Sequence, residues 1–164
     1  MTPETLFTIA NPLALMGWLA LAVAPLAPRA IDLFAGWVLP GLLSLGYAVL
    51  MLVHFADAPG GFQTLAAVQA LFTDADVALA GWMHYLAFDL FIGAWILRDA
   101  RREGFAHWVV LPILPFVFLV GPAGFVAYLA LKLLTRGWAL HPRYPGRAGP
   151  GSRRTPCCCA SVLR

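Results

Sequence analysis

The chain has 164 residues, of which 61% are hydrophobic and only 12% charged. A soluble domain carries about 25% charged and about 45–50% apolar residues, and a chain this short cannot hide so large an apolar surplus in one core, so lipid is the natural solvent for it. The net charge of +3 is weighted toward the C-terminal end and forms no basic stripe interleaved with stacking aromatics, which argues against a nucleic-acid-binding face.

The length gives one domain with room for about four crossings of roughly 20 residues each. Glu4 is the only charge before the first apolar run, where a cleaved signal would want Lys or Arg, so the start is expected to lead directly into the membrane. That run extends from Leu6 to Ala27. Asn11-Pro12 interrupts it one turn in, and Pro25 and Pro28 close it, with Arg29 in the turn that follows. The second run, Leu33 to Val53, contains Pro40-Gly41 and ends at His54.

Between His54 and Asp76, Ala58-Pro59-Gly60-Gly61 signals a turn. Leu65, Val68, Leu71 and Phe72 then recur at helical spacing in a segment too short and polar to span. It is expected to form a short helix lying at the interface or capping the bundle. Asp74 is placed to cap the helix that follows. The third run, Val77 to Leu97, is free of proline and leads into the charged loop Arg98 to Gly104.

The fourth run, Phe105 to Leu134, exceeds what one crossing needs and carries Pro112, Pro115 and Gly121-Pro122-Ala123-Gly124. One kinked, tilted helix is the favoured reading. A break at Gly121-Pro122 into two half-helices is the alternative. Positive charge bears on the choice. Arg29, Arg98, Arg101 and Arg102 share one side of the membrane, which should be cytoplasmic. Four plain crossings then strand Lys132 and Arg136 on the other side, and a re-entrant fourth segment removes the conflict.

The expected architecture is therefore all-α: an integral membrane bundle of four transmembrane helices over residues 1–137, with a short interfacial helix between the second and third. From His141 onward Pro, Gly and Arg dominate, and 138–164 reads as a disordered basic tail. Its adjacent Cys157, Cys158 and Cys159 offer neither a disulfide framework nor a spaced metal-ligand set. No metal and no cofactor is expected. Trp18, Trp37, Trp82, Trp95 and Trp108 are expected toward helix ends, as in an aromatic belt.

The third run carries the polar residues that call for an explanation. His84, Tyr85 and Asp89 sit near mid-span, where an ionisable group costs about 2.5–3.5 kcal/mol unless it faces protein or water. Gly81, Tyr85, Asp89 and Gly93 recur every fourth residue and form one slowly drifting stripe. The glycines let a neighbouring helix approach. His84 lies roughly 140° around the helix from Asp89, so the two cannot pair directly but are placed to flank one cavity. A structural aspartate bonded across helices, with Asn11 as partner, gains only about 0.6 kcal/mol on average, which favours a functional Asp89. Asn11 itself either caps a proline kink or forms a polar wall of the same cavity.

Phe7 to Trp18, Gly60 to Phe62, Leu71 to Asp74, Ala78 to Gly104 and Leu111 to Phe125 together resemble the abscisic-acid-deficient-four-like family, whose plant members are plastid membrane proteins required to make neoxanthin from violaxanthin. The resemblance covers about Leu6 to Arg136. It implies a multi-pass protein connected with carotenoids, and a reaction in which an epoxide opens to an allenic alcohol without redox change. Such chemistry wants an acid for the epoxide oxygen and a base for a vinylic proton. His84, Asp89 and Tyr85 are the candidate catalytic residues, and Asn11, Gly81 and Gly93 the candidate substrate-binding positions. Two functions stand open. One is a membrane isomerase of a carotenoid or other isoprenoid lipid. The other is a non-catalytic protein that binds or organises a pigment, lipid or partner complex. A small transporter is disfavoured, because a single polar helix offers few coupling sites. The Ala-, Arg- and Gly-rich usage points to a bacterial inner membrane. The expected partners are the bilayer and such a lipid, without nucleic acid, and the sequence carries no signal of oligomeric state.

Overall fold

A computed structural model describes residues 2–139, and every described element is helical. Helix α1 spans Pro3–Ala22, α2 Pro28–His54, α3 Leu65–Leu71, α4 Ala75–Arg102, α5 His107–Val120 and α6 Pro122–Ala139. Helix α6 runs two residues past the expected boundary at 137. The rest of the expected tail, like its cysteines, lies outside the described residues.

Three helices, α1, α2 and α4, are long and apolar enough to cross a membrane. The outer faces of α1 and α2 are greasy: Leu52 is 84% exposed, and Leu19, Leu33 and Leu45 also point outward. Helix α4 is the axis of the bundle. Over half of its apolar window, 56%, is buried, against 28% for α1 and for α2. It packs on α2, on α1 and on α5. Small residues permit the close approaches. A Cβ on Gly46 would strike Met83 of α4, and one on Gly17 would strike Leu90.

The ends of the elements carry the local signals that their sequences contain. Thr2 and Thr64 cap α1 and α3 by accepting from Thr5 N and Ala67 N. The Asp74 carboxylate accepts from the Asp76 and Val77 amides at 3.0 Å, so it caps α4 as expected. Pro12 sits inside α1, and the Asn11 side chain donates to the Phe7 carbonyl at 2.9 Å. Helix α2 contains a π turn over Phe34–Val38. Helix α3 folds over the end of the bundle where α2 finishes and α4 begins, with Phe72 seated against Gly81 and His54 3.7 Å from Asp76. Trp18 departs from the expected aromatic belt: it is buried, its ring against Gly93 and Phe118.

The fourth run is where the structure departs from the favoured expectation. It is two helices rather than one kinked helix, broken at Gly121 with φ +28°. Each half is shorter than the roughly 20 residues a crossing needs. Contacts fix the path. Helix α5 starts beside the end of α1, where the His107 ring nitrogen lies 2.9 Å from the Ala22 carbonyl. It descends to mid-bundle, where the Tyr85 hydroxyl donates to the Phe118 carbonyl at 2.7 Å. The tip at Gly121 lies against Asp89. Helix α6 then climbs back: Tyr128 donates to Asp99 at 2.7 Å, and Lys132 reaches both Asp99 and Glu103. The segment is thus a hairpin whose two ends lie at the same end of the bundle. Gly124 lets the halves cross closely, since a Cβ there would meet the Val117 backbone.

Candidate functional site

Helix α4 and the hairpin tip build the site together. Tyr85 and Asp89 are one helical turn apart and face the tip. Asp89 is 8% exposed, and its Oδ2 atom is one of two buried side-chain polar atoms without a hydrogen-bond partner among the described residues. The other is Trp18 Nε1. Buried polar atoms are nearly always paired, so this carboxylate, beside a glycine tip and one turn from Tyr85, is the site's candidate functional group. Gly121 is necessary there: its φ is one that L side chains rarely adopt, and a Cβ would fall on the carboxylate.

Tyr85 also lines a cleft of about 710 Å³ between α1, α4 and the tip of α5. Its walls include Asn11, Pro12, Trp82, Phe118 and Leu119. The volume lies within the usual range for small-molecule sites, about 300–1,000 Å³. Trp82 Nε1 donates to Asn11 Oδ1 at 2.9 Å, and its ring stacks on Tyr85 with centroids 5.3 Å apart. The wall is therefore largely aromatic and aliphatic, with an amide and a phenol clustered at one place. Part of it, including Trp82 and Leu119, is exposed on the lipid-facing surface.

The sequence candidates divide on this geometry. Asn11 and Tyr85 share the cleft, and Asp89 lies one turn further along α4 under the tip. Gly93 receives the Trp18 ring, which lies on the same side. His84 and Gly81 lie elsewhere. His84 is exposed, stacked on Phe88 with centroids 4.4 Å apart and tilted against Tyr47 at 5.3 Å. With Gly81, Phe72 and Met51 it borders a separate hollow of about 220 Å³ beneath α3. The expected cavity flanked by both His84 and Asp89 is thus not formed. A separation of roughly 140° puts the two on different flanks of α4, each facing a different neighbour.

Two residues of the site carried no sequence signal of their own. Trp82 reads as a belt tryptophan, and its bond to Asn11 joins positions 71 apart in sequence. Phe118 contributes a ring and a carbonyl only because the run breaks at Gly121.

Long apolar helices, a polar centre sheltered at mid-bundle and a hairpin entering from one end define a multi-pass α-helical membrane protein. More narrowly, the chain belongs to the ABA DEFICIENT 4-like family, whose model matches residues 5–128, from the first turn of α1 into α6. No curated protein and no solved structure matches the chain.

Proposed function

We propose that the protein is an intramembrane isomerase of a carotenoid or related isoprenoid lipid, in a bacterial inner membrane, with Tyr85 and Asp89 as its proton-transfer groups. The observation that carries this reading is the cleft: an apolar, aromatic-walled groove open to lipid, with its polar atoms gathered beside a buried carboxyl group. A long polyene ending in an oxygenated ring matches that division. The chain lies along Trp82, Phe118 and Leu119, and the ring oxygen meets Tyr85 and Asn11. Opening an epoxide to an allenic alcohol moves one proton onto oxygen and removes one from a vinylic carbon, so the substrate and product have the same composition. Tyr85 turns its hydroxyl from the Phe118 carbonyl to the epoxide oxygen. Asp89 receives the vinylic proton and returns it to Tyr85, which restores both groups. Positioned groups of this kind are typically worth about 10²–10⁴-fold.

One observation favours the alternative, a binding protein without chemistry. Asp89 is not on the wall of the cleft but one turn beyond it, so a ligand can occupy the groove without touching the carboxylate. Expression in a host that accumulates violaxanthin separates the two. The isomerase reading expects neoxanthin with the wild-type chain, a loss of at least about 10²-fold with Asp89→Asn or Tyr85→Phe, and full activity with His84→Ala. Unconverted pigment copurifying with the wild type, and displaced by Trp82→Ala, would establish the binding reading instead.

A further inference from the structure

Away from the cleft, the opposite flank of α4 carries a second composite site, at the end of the bundle where α4 finishes and α2 begins. Arg98, Arg101, Arg102 and Asp32 line a hollow of about 330 Å³. Three arginines against one aspartate leave an excess of positive charge there. Asp32 Oδ1 accepts from Arg98 Nη1 at 2.9 Å and lies 4.0 Å from Arg101 Nη2. It thereby orients the cluster without neutralising it, and Arg101 and Arg102 remain exposed.

A separate apolar groove lies nearby, between α2 and α4. It measures about 240 Å³ and is lined by Gly36, Trp37, Gly41, Ser44, Phe88 and Phe91. Arg98 joins the two: its guanidinium lies 5.8 Å from the Trp37 ring centroid and 5.6 Å from that of Phe91. A Cβ on Gly36 would strike Arg98 Nη1, so the glycine makes room for the side chain. The π turn over Phe34–Val38 lies at this junction, and such turns mark functional sites often enough to draw notice. Trp37 is 61% exposed and Phe88 54%, so the groove faces the surrounding lipid.

We infer that this flank binds one anionic phospholipid, its phosphate held by Arg98, Arg101 and Arg102 and one acyl chain laid in the Trp37–Phe91 groove. Guanidinium forks match phosphate oxygens, and basic pockets at the cytoplasmic surface select anionic headgroups. The apolar groove beneath is what a free anion would not need, and the excess of arginine is what a zwitterionic lipid would not reward. The site lies away from the Tyr85–Asp89 cleft and does not depend on the reaction proposed for it.

The test uses the full chain, delipidated in neutral detergent and titrated with phosphatidylglycerol or phosphatidylcholine of matched chains, with bound lipid counted by native mass spectrometry. Wild-type protein is expected to hold phosphatidylglycerol about tenfold more tightly or better, at roughly the strength two surface arginines confer. The Arg101→Gln/Arg102→Gln double variant should reduce that preference to within about twofold. Gly41→Leu should weaken both lipids while keeping the preference. A Cβ there meets nothing within 4 Å, and leucine is a better helix former than glycine, so the groove fills without harm to the fold. Equal binding of the two lipids by the wild type would overturn the inference, as would an undiminished preference in the double variant. Inorganic phosphate that displaces phosphatidylglycerol, together with a Gly41→Leu variant that binds like the wild type, would show a soluble-anion site and sink the lipid assignment.

Discussion

At the scale of single residues, Gly121 and Asp89 are directly coupled. The glycine holds φ +28°, and the carboxylate occupies the space a Cβ would take. Gly121→Ala therefore combines backbone strain with overpacking, each worth about 1–3 kcal/mol. Only the second part depends on Asp89. A double-mutant cycle in detergent, read by thermal unfolding, should find Gly121→Ala less costly in an Asp89→Ala background by about 1 kcal/mol or more. Additive effects would show that the tip does not rest on the carboxylate. The same pair shows what could be read from sequence. Asp89 was identifiable, because an acidic side chain in an apolar run demands an explanation. Its neighbour was not, since nothing in the order of residues says which glycine of another segment will sit against it. His84 marks a different limit. The angle separating it from Asp89 followed from helical geometry, but whether two flanks of a helix meet one cavity depends on the neighbours that cover them. Here Tyr47 of α2 meets one flank, and Phe118 and Gly121 meet the other.

Among the elements, α1, α2, α4, the short α3 and the Asp74 cap were all legible, because each rests on local features: apolar run length, helical spacing and a capping side chain. The hairpin was not settled by such features. Gly121-Pro122 suits a kink or a break equally well. What decides is long-range: Tyr128 and Lys132 reach Asp99 on α4, Lys132 also reaches Glu103 just past its end, and Tyr85 reaches the Phe118 carbonyl. The Lys132 ammonium is the anchor of the returning half, 2.9 Å from Glu103 and closer still to Asp99, with its side chain only 16% exposed. Lys132→Met keeps the stem and removes the charge, leaving two carboxylates without their shared cation. Limited proteolysis should then cut the region after Gly121 faster than in the wild type, with α1 to α4 still protected. Lys132→Arg should largely restore resistance. A Lys132→Met protein as resistant as the wild type would mean that the Lys132 charge is not what holds α6 in place.

The hairpin fixes the sidedness of the whole molecule. Helices α1 and α4 run from one end of the bundle to the other, α2 runs back, and α5 and α6 enter and leave by the end where α4 finishes. Every Lys and Arg among the described residues then falls at that end: Arg29, Arg98, Arg101, Arg102, Lys132 and Arg136. The opposite end carries Glu4, Asp57, Asp74 and Asp76. Four full crossings would split the basic residues between two sides, whereas three crossings and a hairpin gather them on one, so charge distribution and helix path agree. The positive-inside rule then predicts that the basic end faces the cytoplasm. Once the three native cysteines, Cys157 to Cys159, are replaced by serine, single cysteines at the exposed positions Gln63, Ala106 and Thr135 report the topology in intact cells. A membrane-impermeant maleimide should label Gln63→Cys from outside. Ala106→Cys and Thr135→Cys should react only after the cells are opened. Labelling of Thr135→Cys from outside, with Ala106→Cys protected, would mean that the final segment crosses after all, and the sheltered position of Asp89 beneath its tip would fall with the hairpin.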